Sequence, residues 1–364
     1  MTNAPSPRPP ADTPSGTPHP SELDIQEFGS YDVVIDARSP REFADDHIPE
    51  ALNLPVVDSE QYAVVGTMYK QDRHRAYLRG VADSLRNMAD AIDTQLNHLG
   101  PDARILVYCF RGGKRSRLWA DALRTIGFRT DVLPGGWKRY RKWVRDGLAR
   151  HAPALGYRVL GGPTGCGKTR LLQALARAGE QVLDLEGLAS HRGSLIGAVP
   201  GVAQPGQKLF DSLLLATLRR FDPRRPVWVE AESKKIGSLQ LPLELYESMH
   251  AAPVFYSLSL PMPERVRVWV EDFGHFVDDP ASLIDRLQYL VPLVGHQTFD
   301  EWKALADSGQ VLVLFERLMR DHYDPTYQRT SARHYARAQV RPIEIDDIEA
   351  ATLDAVARRL AAEA

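Results

Sequence analysis

The chain has 364 residues, of which 43% are hydrophobic and 25% charged, and its formal net charge is −2. This length allows two domains with separate cores. The near-neutral charge excludes a global basic field, so any nucleic-acid binding must come from local patches. Two cysteines exclude a disulfide framework and fit a reducing compartment. Because no apolar run approaches the roughly 20 residues of a membrane helix, we expect a cytoplasmic protein that does not bind membranes.

The first 20 residues hold seven prolines and almost no large apolar residues. This composition predicts a disordered tail and not a signal peptide, because it contains no apolar segment. Beyond the tail, the pattern predicts an α/β protein with two domains and a helical C-terminal region. The predicted boundaries are 21–145 for the first domain, 146–156 for a basic linker, 157–280 for the second domain and 281–364 for the helical region.

In the first domain, strands alternate with helices, which predicts a parallel sheet. Ser39 and Pro40 are typical of a helix start. Reactive groups in parallel sheets lie at the carboxyl ends of strands, and Cys109 directly follows a predicted strand. The predicted elements are strands at 31–36 and 103–108, a turn and short strand within 47–55, and helices at 76–98 and 116–126.

Cys109 opens a cationic loop that leads into a helix. Arg111, Lys114 and Arg115 favour a thiolate over a thiol, as does the start of the helix. A thiolate is a nucleophile. A buried structural cysteine is the alternative, but four cations between positions 111 and 117 do not suit a core. We therefore predict that Cys109 is catalytic, with these three cations beside it.

A basic segment ends the first domain. The apolar residues between its cations predict an amphipathic helix that joins the domains. The cations are Lys138, Arg139, Arg141, Lys142, Arg145 and Arg150. Two interpretations remain open. The cations form a solvated helix face, or they contact RNA phosphates.

Residues 162–169 match the phosphate-binding pattern G-x-x-x-x-G-K-[ST]. A predicted strand at 157–160 precedes this P-loop and leucines at helical spacing follow it, which is the setting that the motif requires. The glycines let backbone N–H groups turn toward an anion, the lysine supplies a charge and the threonine a hydroxyl suited to Mg²⁺. The motif predicts a di- or triphosphate ligand, but no particular reaction. The candidate phosphate-binding residues are Gly162, Gly165, Gly167, Lys168 and Thr169.

Acidic residues end two later strands. Asp184 lies in a predicted strand at 182–186, and Glu230 and Glu232 follow an apolar run that begins at Val227. An apolar run that ends in an acid is typical of the segment that holds Mg²⁺ or orients a nucleophile in P-loop proteins. For the two glutamates, the alternative is that they cap the next helix.

Helical spacing returns from residue 281, with a predicted break at 322–327 and a final helix at 346–364. Arg333 and Arg337 lie between these in a segment without acids that also contains Tyr335. Arginine beside aromatic residues suits an RNA backbone and unstacked bases, whereas a solvated tail explains the same composition. Both arginines are candidate RNA-binding residues.

Three segments of the first domain resemble the rhodanese family: 36–43 with 47–49, the Cys109 loop, and 132–137. The resemblance implies a cysteine that handles sulfur or selenium. In the usual sulfurtransferase loop an arginine stands five residues after the cysteine; here Lys114 holds that place and Arg115 comes one later. The longer loop resembles that of rhodanese-like phosphatases. It predicts a wider cradle, suited to a larger anion such as selenophosphate.

The order of the domains, together with the segments 184–187, 191–194, 204–208 and 230–237, resembles the bacterial tRNA 2-selenouridine synthase family over nearly the whole chain beyond residue 20. The resemblance implies exchange of the sulfur of wobble 2-thiouridine for selenium through an S-geranyl intermediate, with geranyl diphosphate and selenophosphate as co-substrates. It also implies contact with the tRNA anticodon loop and an enzyme that supplies selenophosphate.

Gly66 becomes a candidate through this resemblance, as a point of close approach for substrate. From the residues alone, 65–70 is predicted to be a surface turn before a helix.

Two other functions remain open. One is a P-loop ATPase or kinase fused to a rhodanese sulfur carrier. The other is a non-catalytic RNA-binding module, which the complete P-loop and the cationic Cys109 loop disfavour. We expect Mg²⁺ as a cofactor, and neither haem, flavin nor zinc.

Overall fold

The computed structural model describes residues 20–363, so the predicted disordered tail lies outside the described residues apart from Pro20. The chain separates into two compact units. The first contains the residues up to His151 together with Pro205–Arg220, and the second contains Ala152–Gln204 and the residues from Phe221 onward. The sequence pattern assigns residues 205–220 to the second domain, whereas in the structure they pack with the first unit.

The first unit is built on a parallel sheet with the strand order β2-β1-β3-β4. The strands are β1 Val33–Asp36, β2 Leu52–Asn53, β3 Arg104–Tyr108 and β4 Arg129–Val132. The helices are α1 Pro40–Asp45, α2 Ser59–Gln71, α3 Arg73–Ala91, α4 Lys114–Ile126 and α5 Gly136–His151.

The core of this unit explains the position of the cysteine. Ile105 and Val107 of β3 are fully buried against Trp119 of α4. This packing fixes the end of β3, so that Cys109 leaves the sheet beside the end of β1, where Asp36 pairs with Tyr108. The prediction of a strand that delivers Cys109 is confirmed.

The predicted turn at 65–70 is wrong, because these residues lie inside α2. Asp58 begins this helix with a capping box: its side chain accepts from the backbone N–H of Gln61, and the Gln61 amide oxygen accepts from the Asp58 N–H. Gly66 is exposed in the middle of α2, and a Cβ at this position would meet no atom within 4 Å. The local structure therefore does not require glycine there.

The second unit contains a five-stranded parallel sheet with the order β11-β10-β5-β7-β6 and a small antiparallel hairpin, β8-β9. The strands are β5 Tyr157–Gly161, β6 Gln181–Leu183, β7 Val227–Glu230, β8 Lys235–Ile236, β9 Leu239–Gln240, β10 Val254–Ser259 and β11 Gln339–Glu344. The helices between β5 and β10 are α6 Lys168–Arg177, α7 Leu185–Ala189, α8 Gln207–Leu218 and α9 Leu243–His250.

The C-terminal region is helical apart from β11. Its helices are α10 Met262–Phe273, α11 His275–Asp278, α12 Pro280–Leu287, α13 Val291–Val294, α14 His296–Asp307, α15 Val311–Leu318, α16 Asp324–His334 and α17 Ala350–Ala362. The predicted helix break at 322–327 is wrong. A π-helical turn, Met319–Tyr323, leads directly into α16, and Pro325 lies in the first turn of that helix, where its missing N–H costs nothing.

Helix α8 belongs to the first unit through buried polar contacts. Arg141 of α5 is 5% exposed and pairs with Asp211 at 2.9 Å. The Ser212 hydroxyl donates to the fully buried Asp46 at 2.8 Å, and the Trp137 indole N–H donates to the same carboxylate at 2.7 Å. These contacts satisfy groups that would otherwise be buried without partners.

The predicted α/β class, with two parallel sheets and a helical C-terminal region, is confirmed. Among residues 20–363, no helix has both the length and the apolar character needed to cross a membrane.

Candidate active sites

The loop after Cys109 is closed by the segment that begins α5. The Trp137 backbone N–H donates to the Cys109 carbonyl oxygen at 2.8 Å. Gly136 has a φ of +56°, and a Cβ there would lie only 2.2 Å from the same oxygen. Only glycine fits this close contact. The segment 132–137 thus packs directly against the candidate nucleophile loop.

Hydrogen bonds surround the Cys109 sulfur, whose residue is 3% exposed. The Gly113 N–H donates to it at 3.2 Å, and the Ser116 hydroxyl lies 3.3 Å away. Burial acts to raise the pKa of this thiol. The Ser116 hydroxyl and nearby backbone groups outweigh that effect, so the pKa of Cys109 lies below its ordinary value. The sulfur is therefore disposed to be a thiolate.

The loop cations have different environments. Arg115 pairs with Glu42 of α1 at 2.7 Å and so holds the loop. The Lys114 ammonium lies 4.3 Å from the centroid of the Tyr77 ring, and Arg111 is exposed. The sequence pattern attributes the thiolate to these cations, whereas the structure assigns the lowered pKa of Cys109 mainly to hydrogen bonds.

We expect Ser116→Ala to make Cys109 less reactive at neutral pH. Removing the hydroxyl removes a hydrogen bond to the thiolate and raises the pKa of Cys109, so the pH profile of alkylation should move to higher pH. Iodoacetamide labelling followed by peptide mapping measures this at Cys109 alone, because Cys166 is fully buried and burial raises the pKa of its thiol.

Ser84→Ala is the matched control for Ser116→Ala, since Ser84 is another buried serine of the same unit that donates to a helix carbonyl. An unchanged profile in Ser116→Ala would remove this hydroxyl from the activation of Cys109.

A basic groove of about 720 Å³ lies in the first unit beside this loop. Among the residues that the structure describes, no acidic side chain lines it. Its cations, together with the ring of Trp137, make it suited to a polyanion. It is lined by Arg111, Gly135, Trp137, Lys138, Arg139, Arg141, Lys142, Arg145 and Lys208.

The candidate RNA-binding residues of this groove fall into two groups. Arg139 pairs with Asp24 at 2.8 Å, and Arg141 is committed to Asp211, so both serve the fold. Lys138 is exposed and has no ion-pair partner within residues 20–363, and Lys142 is exposed and pairs with Asp146. Three groove residues were missed as RNA candidates: Arg111, Trp137 and Lys208. Arg145, another cation of the predicted basic segment, also lines the groove.

The P-loop connects β5 to α6 in the second unit. Gly162, Gly165 and Gly167 all have positive φ values, between +80° and +153°. A Cβ on Gly165 would lie 2.7 Å from the indole of Trp269, so the loop can approach α10 closely only with glycine there. The side chain of Arg265 donates to the Thr164 carbonyl at 2.8 Å and braces the loop.

Lys168 and Thr169 face a group of carboxylates. The half-buried Lys168 ammonium donates to the Gly162 carbonyl at 3.1 Å, and the Thr169 hydroxyl donates to Glu186 at 3.2 Å. Burial acts to lower the pKa of Lys168, but Cys166, Glu186 and other neighbouring groups more than offset this and raise it. The ammonium therefore stays charged in the loop.

The predicted acids have distinct roles in this geometry. Asp184 caps α7 by accepting from the Gly187 N–H at 2.7 Å. Glu230 is 1% exposed and accepts from the Glu186 N–H at 2.8 Å; burial and the nearby carboxylates of Glu186 and Asp184 raise its pKa to about 8. Glu232 lines the pocket, and burial and then Glu186 and Glu230 raise its pKa well above the ordinary value.

The residues fit a Mg²⁺ ion that is shared with a bound phosphate. Mg²⁺ commonly takes one or two carboxylates together with substrate phosphates and water, and the Thr169 hydroxyl lies beside Glu186. One oxygen of Glu230 has no hydrogen-bond partner among the described residues, so positive charge nearby would stabilise this cluster. Within 20–363, no group of three or more His, Cys, Asp or Glu side chains could hold a metal. Thr169 and Glu186 would therefore hold the ion with phosphate oxygens of the ligand.

A pocket of about 690 Å³ opens above the P-loop in the second unit. It brings together Gly162, Gly165, Gly167, Lys168, Thr169, Asp184, Glu186 and Glu232. Helix α10 contributes the apolar side chains Val268, Trp269 and Phe273, together with the carboxylate of Asp272. The pocket thus joins a phosphate-binding floor to an apolar wall.

Arg333 and Arg337 are exposed, at the end of α16 and just beyond it, and neither has an ion-pair partner in the described part of the chain. Helix α16 itself lines the pocket. The predicted helix break at 322–327 conflicts with this contribution of α16 to the pocket. The signal for this helix is Asp324 followed by Pro325, which is typical of a first helical turn.

Two family models match the chain. A rhodanese-like domain matches residues 23–142, and a domain described as the tRNA 2-selenouridine synthase AAA domain matches residues 156–283.

Curated proteins named tRNA 2-selenouridine synthase are similar to most of the chain. The protein from Psychromonas ingrahamii is 35% identical, over 85% of this chain and 90% of its own. The protein from Aeromonas salmonicida is 35% identical, over 81% of this chain and 86% of its own. The protein from Nitrosomonas europaea is 33% identical, over 71% of this chain and 67% of its own.

Proposed function

This chain belongs to the tRNA 2-selenouridine synthase family, and from that premise we propose that it exchanges the sulfur of wobble 2-thiouridine in tRNA for selenium in two steps, using geranyl diphosphate and then selenophosphate. The observation that carries the proposal is the pocket in which the P-loop floor meets the apolar wall of α10. A prenyl diphosphate would use both parts, with its phosphates on the floor and its chain against the apolar wall.

In the first step, the thiocarbonyl sulfur forms a bond to C1 of the geranyl group while the bond from C1 to the diphosphate oxygen breaks. The N3 proton of the base is released, and pyrophosphate leaves. Lys168 and the backbone N–H groups of the P-loop stabilise the charge that develops on pyrophosphate, and Mg²⁺ bound at Thr169 would add to this stabilisation. The side chains of α10 exclude water from the prenyl chain.

In the second step, selenium replaces the geranylthio group at C2. Geranylation makes the sulfur a better leaving group, and geranylthiol departs as the bond from C2 to selenium forms; water then releases phosphate. Selenium enters at the oxidation level of the sulfur that it replaces, so the exchange needs no oxidant. The Cys109 thiolate delivers the selenium without forming an S–Se bond, because selenide-level selenium would need an oxidant to become a selenenyl sulfide. Arg111 and Lys114 attract the anionic donor. An enzyme that makes selenophosphate is the corresponding partner.

The basic groove beside the Cys109 loop is suited to bind the tRNA backbone. We expect the double variant Lys138→Ala, Arg145→Ala to bind the anticodon arm more weakly, because both cations are exposed and lack acidic partners among the described residues. The slope of log affinity against log salt should fall by about 1.4 to 1.8. Fluorescence anisotropy at several salt concentrations measures this.

The control for the groove variant is Arg75→Ala, Arg86→Ala, which removes two exposed cations from α3 in the same unit. If the two double variants lost equal amounts of RNA affinity, only net charge would matter for binding and the groove would have no specific role.

Nucleoside mass spectrometry tests the function as a whole. A tRNA that carries 2-thiouridine is incubated with the protein, Mg²⁺ and geranyl diphosphate, with and without selenophosphate. We expect S-geranyl-2-thiouridine without selenophosphate and 2-selenouridine with it. No change in either reaction, with hydrolysis of ATP in a parallel one, would contradict the proposal and favour a P-loop ATPase.

A further inference from the structure

The pocket above the P-loop has two chemically different walls. On α10, Val268, Trp269 and Phe273 form an apolar surface, and Asp272 also lines the pocket from this helix. Trp269 and Phe273 continue into a buried core of aromatic and aliphatic side chains. On α16, by contrast, each residue that lines the pocket can form hydrogen bonds. These residues are Thr326, Tyr327, Thr330, Ser331 and His334. A prenyl chain can use the first wall, but against the second wall it would cover groups whose hydrogen-bonding capacity the protein does not fully use, such as the unpartnered Tyr327 hydroxyl.

Helix α16 is fixed to the floor of the pocket. Asp324, at its start, pairs at 2.6 Å with Arg265, which also donates to the P-loop carbonyl of Thr164. Further along the helix, the Tyr327 hydroxyl lies 2.7 Å from the point where a Cβ on Gly161 would be, just before the P-loop. The polar wall is therefore held beside the diphosphate site.

Beyond α16, an aromatic cluster closes this side of the pocket. Tyr335 is 6% exposed and lines the pocket, yet its hydroxyl has no hydrogen-bond partner in the described part of the chain. The Tyr335 ring stacks on the His250 ring, with 5.1 Å between the ring centroids and 12° between the planes. The His334 ring lies at 84° to the His250 ring. Flat rings with hydrogen-bonding groups match a pyrimidine base better than an alkyl chain.

His334 is suited to contact a neutral base. Burial, with the neighbouring His250 and Arg333, lowers the pKa of this imidazole. It is therefore neutral at neutral pH and offers one donor and one acceptor nitrogen. A uracil ring presents the same mixture of donors and acceptors.

Cations border the polar face of α16. Arg329 and Arg333 are four residues apart on one side of the helix, and both are exposed. Neither has an ion-pair partner among residues 20–363. Arg337 follows just after the helix end and is also exposed. Cations beside a polar wall of the size of a base form the arrangement that is expected to bind a single RNA strand.

We propose that α16 is the nucleotide wall of this pocket: its hydroxyl and imidazole face receives the 2-thiouracil base, and Arg329 and Arg333 contact phosphates of the same RNA strand. This inference rests on the function proposed above. It deepens that function by placing the reacting sulfur opposite the geranyl group, which lies against α10. Thr330 and His334 are then positioning residues for the base.

Two variants test the wall by separating RNA binding from geranyl diphosphate binding. In Arg329→Ala, Arg333→Ala, a wobble-thiolated anticodon stem-loop should bind more weakly, with a salt slope lower by about 1.4. In Thr330→Val, the KM for the same RNA should rise several-fold. In both variants the Kd of geranyl diphosphate should equal that of the unaltered protein, because the phosphate floor and the α10 wall are intact.

Matched controls exist for both variants. Arg358→Ala, Arg359→Ala removes two exposed cations from α17, and Thr125→Val removes a hydroxyl that, like that of Thr330, donates to the carbonyl four residues earlier. Both controls should behave like the unaltered protein.

RNA binding equal to that of the unaltered protein in the arginine variant would overturn the proposal. A parallel loss of geranyl diphosphate binding would overturn it too, since the polar wall would then belong to that ligand. If the unaltered protein forms no geranylated base, the function proposed above fails, while the RNA-binding measurement still decides the role of α16.

Discussion

Replacing Cys109 with alanine should reduce selenium transfer by at least about a thousandfold, in line with the loss of a catalytic nucleophile, while geranylation continues. The thiolate is stabilised by Ser116 and Gly113 in a loop of the first unit. The diphosphate pocket is lined by residues of the second unit alone. Nucleoside mass spectrometry, with and without selenophosphate, measures the two reactions separately.

Ser84→Ala is the control for Cys109→Ala, because Ser84 is a buried residue of the same unit that lies outside the Cys109 loop. If Cys109→Ala lost both reactions, the proposed division of labour would be wrong. If it retained selenium transfer, Cys109 would have no role in handling selenium.

The second large effect is expected at the P-loop. Lys168→Ala should lower geranylation by about 10²–10³-fold, the cost typical of losing a group that stabilises developing negative charge. Its ammonium also interacts electrostatically with Glu186 and Glu232, so its removal takes away positive charge that compensates these carboxylates when a diphosphate arrives. Geranyl transfer to thiolated tRNA is the measurement.

The same variant allows a complementary test. Supplied with tRNA that is already geranylated, Lys168→Ala should still form 2-selenouridine, because the second step does not use the diphosphate site. Arg177→Ala, which removes an exposed cation from the same helix α6, is the control. Undiminished geranyl transfer in Lys168→Ala would exclude the P-loop from the chemistry.

The sequence predicts those elements whose signals are local. The P-loop needs glycines at three positions of positive φ, and no other residue takes that backbone at low cost. The strand before Cys109 is buried from Ile105 to Tyr108, so its apolar run is continuous. Ser39 with Pro40 begins α1 because the cap and the first turn depend only on neighbouring residues.

Other elements depend on partners that are distant in sequence. β11 contains a proline and four exposed side chains at its start, and it is a strand because the backbone of β10 pairs with it. As the edge of the sheet, it tolerates Pro342. Helix α16 follows a π-helical turn, which periodicity does not reveal.

The prediction of the candidate sites is also limited by contacts between residues that are distant in sequence. The charges of Arg139 and Arg141 are visible in the sequence, but their use is decided by Asp24 and Asp211, which lie far away along the chain. The hydrogen bonds that lower the pKa of Cys109 come from a helix start whose orientation depends on the packing of Trp119 and Leu123. Residue types therefore predict which chemistry is available, and tertiary contacts decide which residues carry it.

The insertion of α8 into the first unit sets an order of events on the ribosome. Asp46 and Arg141 are buried, and their partners Ser212 and Asp211 are made only after the P-loop segment. At roughly 5–20 residues per second, the nascent N-terminal unit waits some seconds with these charges incompletely paired. The unit can complete these buried polar contacts only when residues 205–220 have emerged. The packing around the cysteine site is therefore completed after the P-loop strand has been synthesised.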